Sequence, residues 1–204
     1  MTTIALGAPA PASPSVFTVR EANTIKKALG IIEAKRLKEA PILYYFEDLQ
    51  RYLILRFAGL THEQGHVLYL DIERRLLAAE TEFFGDHKSV PFDLRRIALR
   101  ALTLGADCVV FAHNHPTDNP TPSEADLQHL KYSEDALRPL NIALLDSFVV
   151  TSKRITSIKK HRERAEEFAR RERMAEYERR SAERRAKIAA AKAAKRAAQQ
   201  QLAA

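Results

Sequence analysis

The chain has 204 residues, 46% of them apolar, with 33 Lys and Arg against 26 Asp and Glu for a net charge of +7. That allows one domain of ordinary size with appendages and a real core. A single cysteine, Cys108, excludes an internal disulfide framework and a Cys-rich zinc site, and no apolar run reaches the ~18 residues of a membrane span.

Residues 1–17 are rich in Ala, Pro and Ser and are expected to be disordered. They show no basic segment followed by an apolar core, so no secretion leader is read and the expected compartment is the reducing cytoplasm. Order is predicted to begin at Thr18, which has capping-box spacing to Glu21. Helical periodicity follows through "ANTIKKALGIIEAKRL" and again through "FEDLQRYLILRFAG", where Leu49, Tyr52, Leu53 and Phe57 share a side and Gly59 is the stop. From Gly65 the period changes to that of strands, "HVLYLD" and "LLAAETEFF", joined by the polar turn "IERR". A helix is predicted from Asp93 to Gly105. The continuous apolar run "DCVVFA" then reads as a central strand covered on both faces, with Cys108 a buried small thiol. A Pro-rich loop, a helix from Ser123 to about Arg138 and a last buried strand "IALLDSFVV" complete the series.

The order of elements gives an α/β fold, a compact mixed β-sheet with flanking helices. The chain accordingly divides into a disordered start (1–17), an N-terminal helical segment (18–59), the α/β domain (60–151) and a basic tail (152–204). The tail holds 17 Lys and Arg against 7 Glu, whereas residues 1–151 hold 16 against 19. The positive charge thus belongs to the tail, a long helix by its Ala, Arg, Glu and Lys content, with Phe168, Met174, Tyr177 and Ile188 too sparse for a heptad seam. It reads as a solvated or fraying helix, or as an arm for nucleic acid or another acidic partner.

The stretch "AHNHPTDNPTPSEAD" carries the chemistry. His113 and His115 stand two apart at the end of the apolar run, and in an extended chain such side chains point the same way. Ser123 opens a helix and Asp126 lies in its first turn, so both can look back toward the histidines. Two imidazoles and one carboxylate make a three-ligand zinc set with a fourth position open for water. Ser-x-x-Asp is equally a helix cap that needs no metal.

The same stretch resembles the JAMM metal-binding signature of the JAB/MPN domain, in its bacterial RadC-like branch, with its A-H-N-H-P and P-T-P-S-x-x-D segments. "LTHEQGHVLYLDIERRLLAAETEFFG" and "PLNIALLDSFVV" extend the resemblance over about Pro41 to Thr151. It implies a JAB/MPN-like fold and a zinc metallopeptidase or isopeptidase in which water activated by zinc attacks an amide carbonyl. His113, His115 and Asp126 would ligate the zinc, Ser123 would stabilise an oxyanion, and Glu63 would be the general base. Glu80 and Glu82 are rivals for that last role, and His62 and His66 read as surface residues or supports behind the site. Three positions depart from the branch's pattern. Ser147 stands where the closing strand usually has His, "SVPFDLRR" where a Pro-Arg-Glu run is commoner, and "TDN" where Ser-Gly-Asp is typical.

The leading expectation is a zinc-dependent hydrolase acting on a protein or peptide. The alternative is a metal-containing binding module whose tail docks on nucleic acid or an acidic protein. No helix-turn-helix, zinc-finger spacing or aromatic stacking strip is visible. A zinc deaminase, which needs H-x-E and a later P-C-x-x-C, is excluded by the lone cysteine.

Overall fold

The computed structural model describes residues 16–44, 46–84 and 92–202, with side chains described up to residue 81 in the second of these spans and to residue 190 in the third. Of the segment 1–17 expected to be disordered, residues 1–15 lie outside the described ones. Residues up to Lys159 form one compact unit, and 160–204 a second.

The chain enters through helix α1 (Val19–Ile32), whose Thr18 and Glu21 make the reciprocal capping box. A π-helical turn, Glu33–Leu37, leads on to α2 (Phe46–Phe57). On α2 the apolar stripe Leu49, Tyr52, Leu53 and Phe57 is buried, and the chain turns away at Gly59 with φ of 75°. Strands β1 (Gln64–Leu70) and β2 (Leu76–Phe84) form an antiparallel pair. Helix α3 (Leu94–Leu104) is capped by Asp93, which accepts from the Arg96 amide, and ends at left-handed Gly105. Next come β3 (Cys108–Asn114), α4 (Glu124–Leu137) and β4 (Ala143–Val150). A short β5 (Ile155–Ser157) follows, within the stretch read from sequence as tail.

The sheet runs β2-β1-β3-β4-β5, parallel only between β3 and β4. It is the expected mixed α/β sheet with flanking helices. Alternation along the strands sorts its side chains onto two faces. Leu68, Leu70, Val110, Ala112, Phe148 and Val150 pack with Leu49, Tyr52, Leu53 and Phe57 of α2 and Leu29 of α1. Val67, Tyr69, Val109, Phe111 and Val149 pack with Ile97 and Ala101 of α3 and Leu130 and Leu137 of α4. The N-terminal helices therefore share one core with the strands. His113 continues the parity of Val109 and Phe111, which turns its ring toward the α4 face.

Past β5, the Asp146 carboxylate accepts from Ser157 Oγ at 2.6 Å and from the Lys159 amide at 3.3 Å, tying down the start of α5 (Ile158–Leu202). The second unit is the rest of that helix, its side chains mostly exposed to residue 190 and laced by pairs such as Arg171–Glu167 and Arg180–Glu176. Among the described residues no helix is long and apolar enough to cross a membrane.

Candidate metal centre

The end of β3 and the first turn of α4 face each other. His113 Nε2 lies 3.1 Å from His115 Nε2 and 3.1 Å from Asp126 Oδ1, and His115 Nε2 lies 3.7 Å from Asp126 Oδ2. A tetrahedral zinc with arms of about 2.0–2.1 Å sets its donors roughly 3.3 Å apart. The two 3.1 Å separations lie close to that value, the ligand atoms of all three residues lie within 4.8 Å of one another, and the N,N,O donor set is one that zinc accepts, so the residues present fit the ion. They are the one cluster among the described residues with metal-ligand geometry.

Two of the three donors are held from behind. His115 Nδ1 lies 2.9 Å from the Asn119 carbonyl. A carbonyl only accepts, so Nδ1 carries the proton and the Nε2 lone pair faces the site. Asp126 divides its two oxygens between two tasks. Oδ2 accepts from the Ser123 amide and hydroxyl, both at 2.7 Å, while Ser123 Oγ accepts from the Asp126 amide at 3.2 Å. Oδ1 meanwhile faces His113. Burial works to raise the Asp126 pKa, but the His113 ring and the Ser123 bonds outweigh it and hold the carboxyl below the usual carboxylate range. An ionised carboxylate is what a cation needs.

The loop between strand and helix is pinned as well. The His115 amide donates to the Val150 carbonyl at 3.0 Å. Asp118, at φ of 60°, accepts from the Ser152 amide at 2.7 Å and from its hydroxyl at 2.8 Å. Aspartate is among the few non-glycine residues that visit this conformation readily. The "TDN" departure is thus accommodated, with two bonds to the β4–β5 turn.

The donor set opens into a cavity of about 510 Å³ that Glu63, Ser123, His129 and Ser147 also line. Glu63, at the threshold of β1, therefore shares the cavity with His113 although the two lie fifty positions apart in the sequence. Glu80 does not line it, because its carboxylate is engaged by Arg100 of α3. Glu82 lies on β2, with its side chain outside the described ones. His66 is a correction: it is fully buried on the opposite face of the sheet, its Nε2 3.3 Å from Tyr52 Oη, and so is neither at the surface nor beside the donors. His62 is half-buried and offers its carbonyl to Asn114 Nδ2 at 2.9 Å.

Sequence reasoning passed over one wall of the cavity. Phe92 stacks on Phe111 at 4.6 Å and on His129 at 5.4 Å. Burial pushes the His129 imidazole pKa down, with the neighbouring His113 adding to it. His129 stands three residues after Asp126, a helical spacing that places both on one face. That spacing was the available signal.

A family model described as the RadC-like JAB domain matches residues 43–164. The chain is similar to UPF0758 protein YfjY of Escherichia coli strain K12, 33% identical over 152 residues that cover 74% of this chain and 94% of the relative. It is 34% identical to UPF0758 protein YeeS of the same strain over 71% of this chain and 98% of the relative. A UPF0758 protein of Polaromonas is 38% identical over 61% of this chain and 56% of its own length.

Proposed function

The chain belongs to the RadC-like JAB domain family, and on that premise we propose that it is a zinc-dependent metallohydrolase, a peptidase or isopeptidase. The observation that carries the reading is the His113–His115–Asp126 donor set opening into a cavity that Glu63 lines. A zinc ion held there would supply Lewis acidity, lowering the pKa of a bound water to about 7 and polarising a carbonyl.

The chain's own residues do the rest. The Asn119 carbonyl keeps His115 in the tautomer that presents Nε2, and Ser123 keeps Asp126 turned toward the histidines. Glu63 takes a proton from the attacking water and delivers it to the leaving amine as the C–N bond breaks. The products are a carboxylate and an amine. In this arrangement the Ser123 hydroxyl spends its only proton on Asp126 Oδ2, so donation to a substrate oxyanion requires that bond to be exchanged. The Phe92–His129 wall offers an apolar, flat surface for the substrate chain beside the reacting bond.

The test begins with metal analysis of the purified chain. About one zinc per chain is expected, lost in His113→Ala and in Asp126→Ala. Glu63→Gln is expected to keep the zinc and to lose hydrolysis of a peptide or isopeptide library by about 10²–10⁴-fold. A zinc-loaded wild type that cleaves nothing would remove the hydrolase reading. The second reading, a binding module, is favoured by one observation: residues 160–204 carry 14 Lys and Arg against 7 Glu. It requires salt-sensitive binding to nucleic acid that disappears when 160–204 are removed.

A further inference from the structure

Strands β1 and β3 separate at the mouth of the cavity. Their last facing pair is Gly65 and His113. Beyond it β3 stays with β4, where Asn114 pairs with Val150. The Asn114 side chain, only 5% exposed, spans the gap so opened. Its Nδ2 donates to the His62 carbonyl at 2.9 Å, and its Oδ1 accepts from the Gln64 amide at 2.8 Å. A carboxamide carries the donor and acceptor of a peptide group, so it adds one rung where the backbone ladder has stopped. The orientation is not arbitrary: turned over, Nδ2 would face an N–H and Oδ1 a carbonyl.

The two bonds fall on the neighbours of Glu63 on either side. Glu63 is the member of this segment that lines the cavity. On the other side, Asn114 is joined covalently to His113 and His115. One side chain therefore connects the backbone of the candidate base to the backbone of two candidate ligands. No other residue type of this size does the same. An ionised aspartate lacks the donor for His62, leucine lacks both groups, and serine is too short to reach both.

We propose that Asn114 is the positioning residue for Glu63, its carboxamide clamping the 62–64 backbone to the end of β3 so that the Glu63 carboxylate is held over the His113–His115–Asp126 donor set. This rests on the reading of Glu63 as the base. The simpler account, a buried asparagine that only completes the sheet, predicts that losing it weakens folding and nothing else.

Two measurements on the full-length, zinc-loaded chain separate these accounts. The first needs no activity. In Asn114→Ala the Gln64 amide is expected to exchange its hydrogen about tenfold faster or more, with zinc content and the protection of Val109 to Ala112 unchanged. The second is kinetic. The same variant is expected to lose about 10–100-fold in kcat with KM unchanged. The double variant Asn114→Ala/Glu63→Gln should be no slower than Glu63→Gln alone, because a clamp without its base has nothing to position. Unaltered exchange at Gln64, or losses that multiply in the double variant, would overturn the proposal. Should Asn114→Ala lose zinc and core protection together, Asn114→Ser, whose hydroxyl satisfies one partner, carries the same two readouts. A wild type inert toward every substrate would sink the hydrolase reading, while exchange at Gln64 would still decide whether the clamp exists.

Discussion

Asp126 shows why residue type and spacing alone leave a choice open. Ser-x-x-Asp is a helix start, and Asp behind H-x-H is a ligand. The sequence offers these as rivals, but a carboxylate has two oxygens and here each takes one of the tasks. The two roles therefore reinforce each other, since the cap fixes the rotamer that the ligand needs. Ser123→Ala tests this. Losing the cap should cost about 1 kcal/mol of stability by urea unfolding, and losing the bond behind the ligand should weaken zinc by about 10–100-fold in chelator competition. A loss of stability with unchanged zinc affinity would mean that Ser123 serves the helix alone. The histidine pair was legible from period two at the end of an apolar run. Asn114, Phe92 and the cavity position of Glu63 were not, because they depend on which strand lies beside β3 and in what register. Only the resemblance to a known family pointed to Glu63.

At the scale of elements, the contact between α2 and β1 carries a polar chain inside an apolar layer. Tyr52 Oη donates to Glu33 Oε1 at 2.8 Å and lies 3.3 Å from His66 Nε2. Sequence periodicity placed Tyr52 in a buried stripe correctly, yet said nothing of what its hydroxyl would meet. His66 was misread, although the signal was present: it alternates with Leu68 and Leu70, and their face is the one α2 covers. Burial, with the Arg56 charge nearby, pushes the His66 imidazole down to about 3 from its ordinary 6.5. The folded chain thus holds His66 neutral over a range where the unfolded chain protonates it. Its contribution to stability is complete above about pH 6.5 and is lost as pH falls from there toward 3. Urea midpoints should therefore fall more steeply between pH 7 and 4.5 for wild type than for His66→Leu. Parallel slopes would contradict the assignment. Tyr52→Phe, which strips the partner from both Glu33 and His66, should cost about 1–3 kcal/mol at pH 7.

For the whole molecule, the question is where the functional domain begins. Composition and period change near residue 60, and a boundary drawn there leaves the strands and the metal loop together as an α/β domain over 60–151. The apolar run of β3, however, already demanded cover on both faces, and the helices within 60–151 supply only one layer. Which element supplied the other was not legible, because helical periodicity shows that a face is buried but not against what. In the folded chain α1 and α2 supply it, packing on Leu68, Leu70, Val110, Ala112, Phe148 and Val150. Removing residues 1–59 would expose that entire face. At roughly 1.5–3 kcal/mol for each large side chain, the loss is on the order of 10 kcal/mol, as large as the whole stability of an ordinary domain. Residues 60–159 alone are therefore expected to lack a cooperative unfolding transition, to bind a hydrophobic dye and to hold no stoichiometric zinc. Residues 1–159, which keep both layers and the Asp146 anchor, should unfold cooperatively and bind zinc as the full chain does. A folded, zinc-loaded 60–159 fragment would show that the helices merely brace a domain already complete, and the two-layer account of this core would fall.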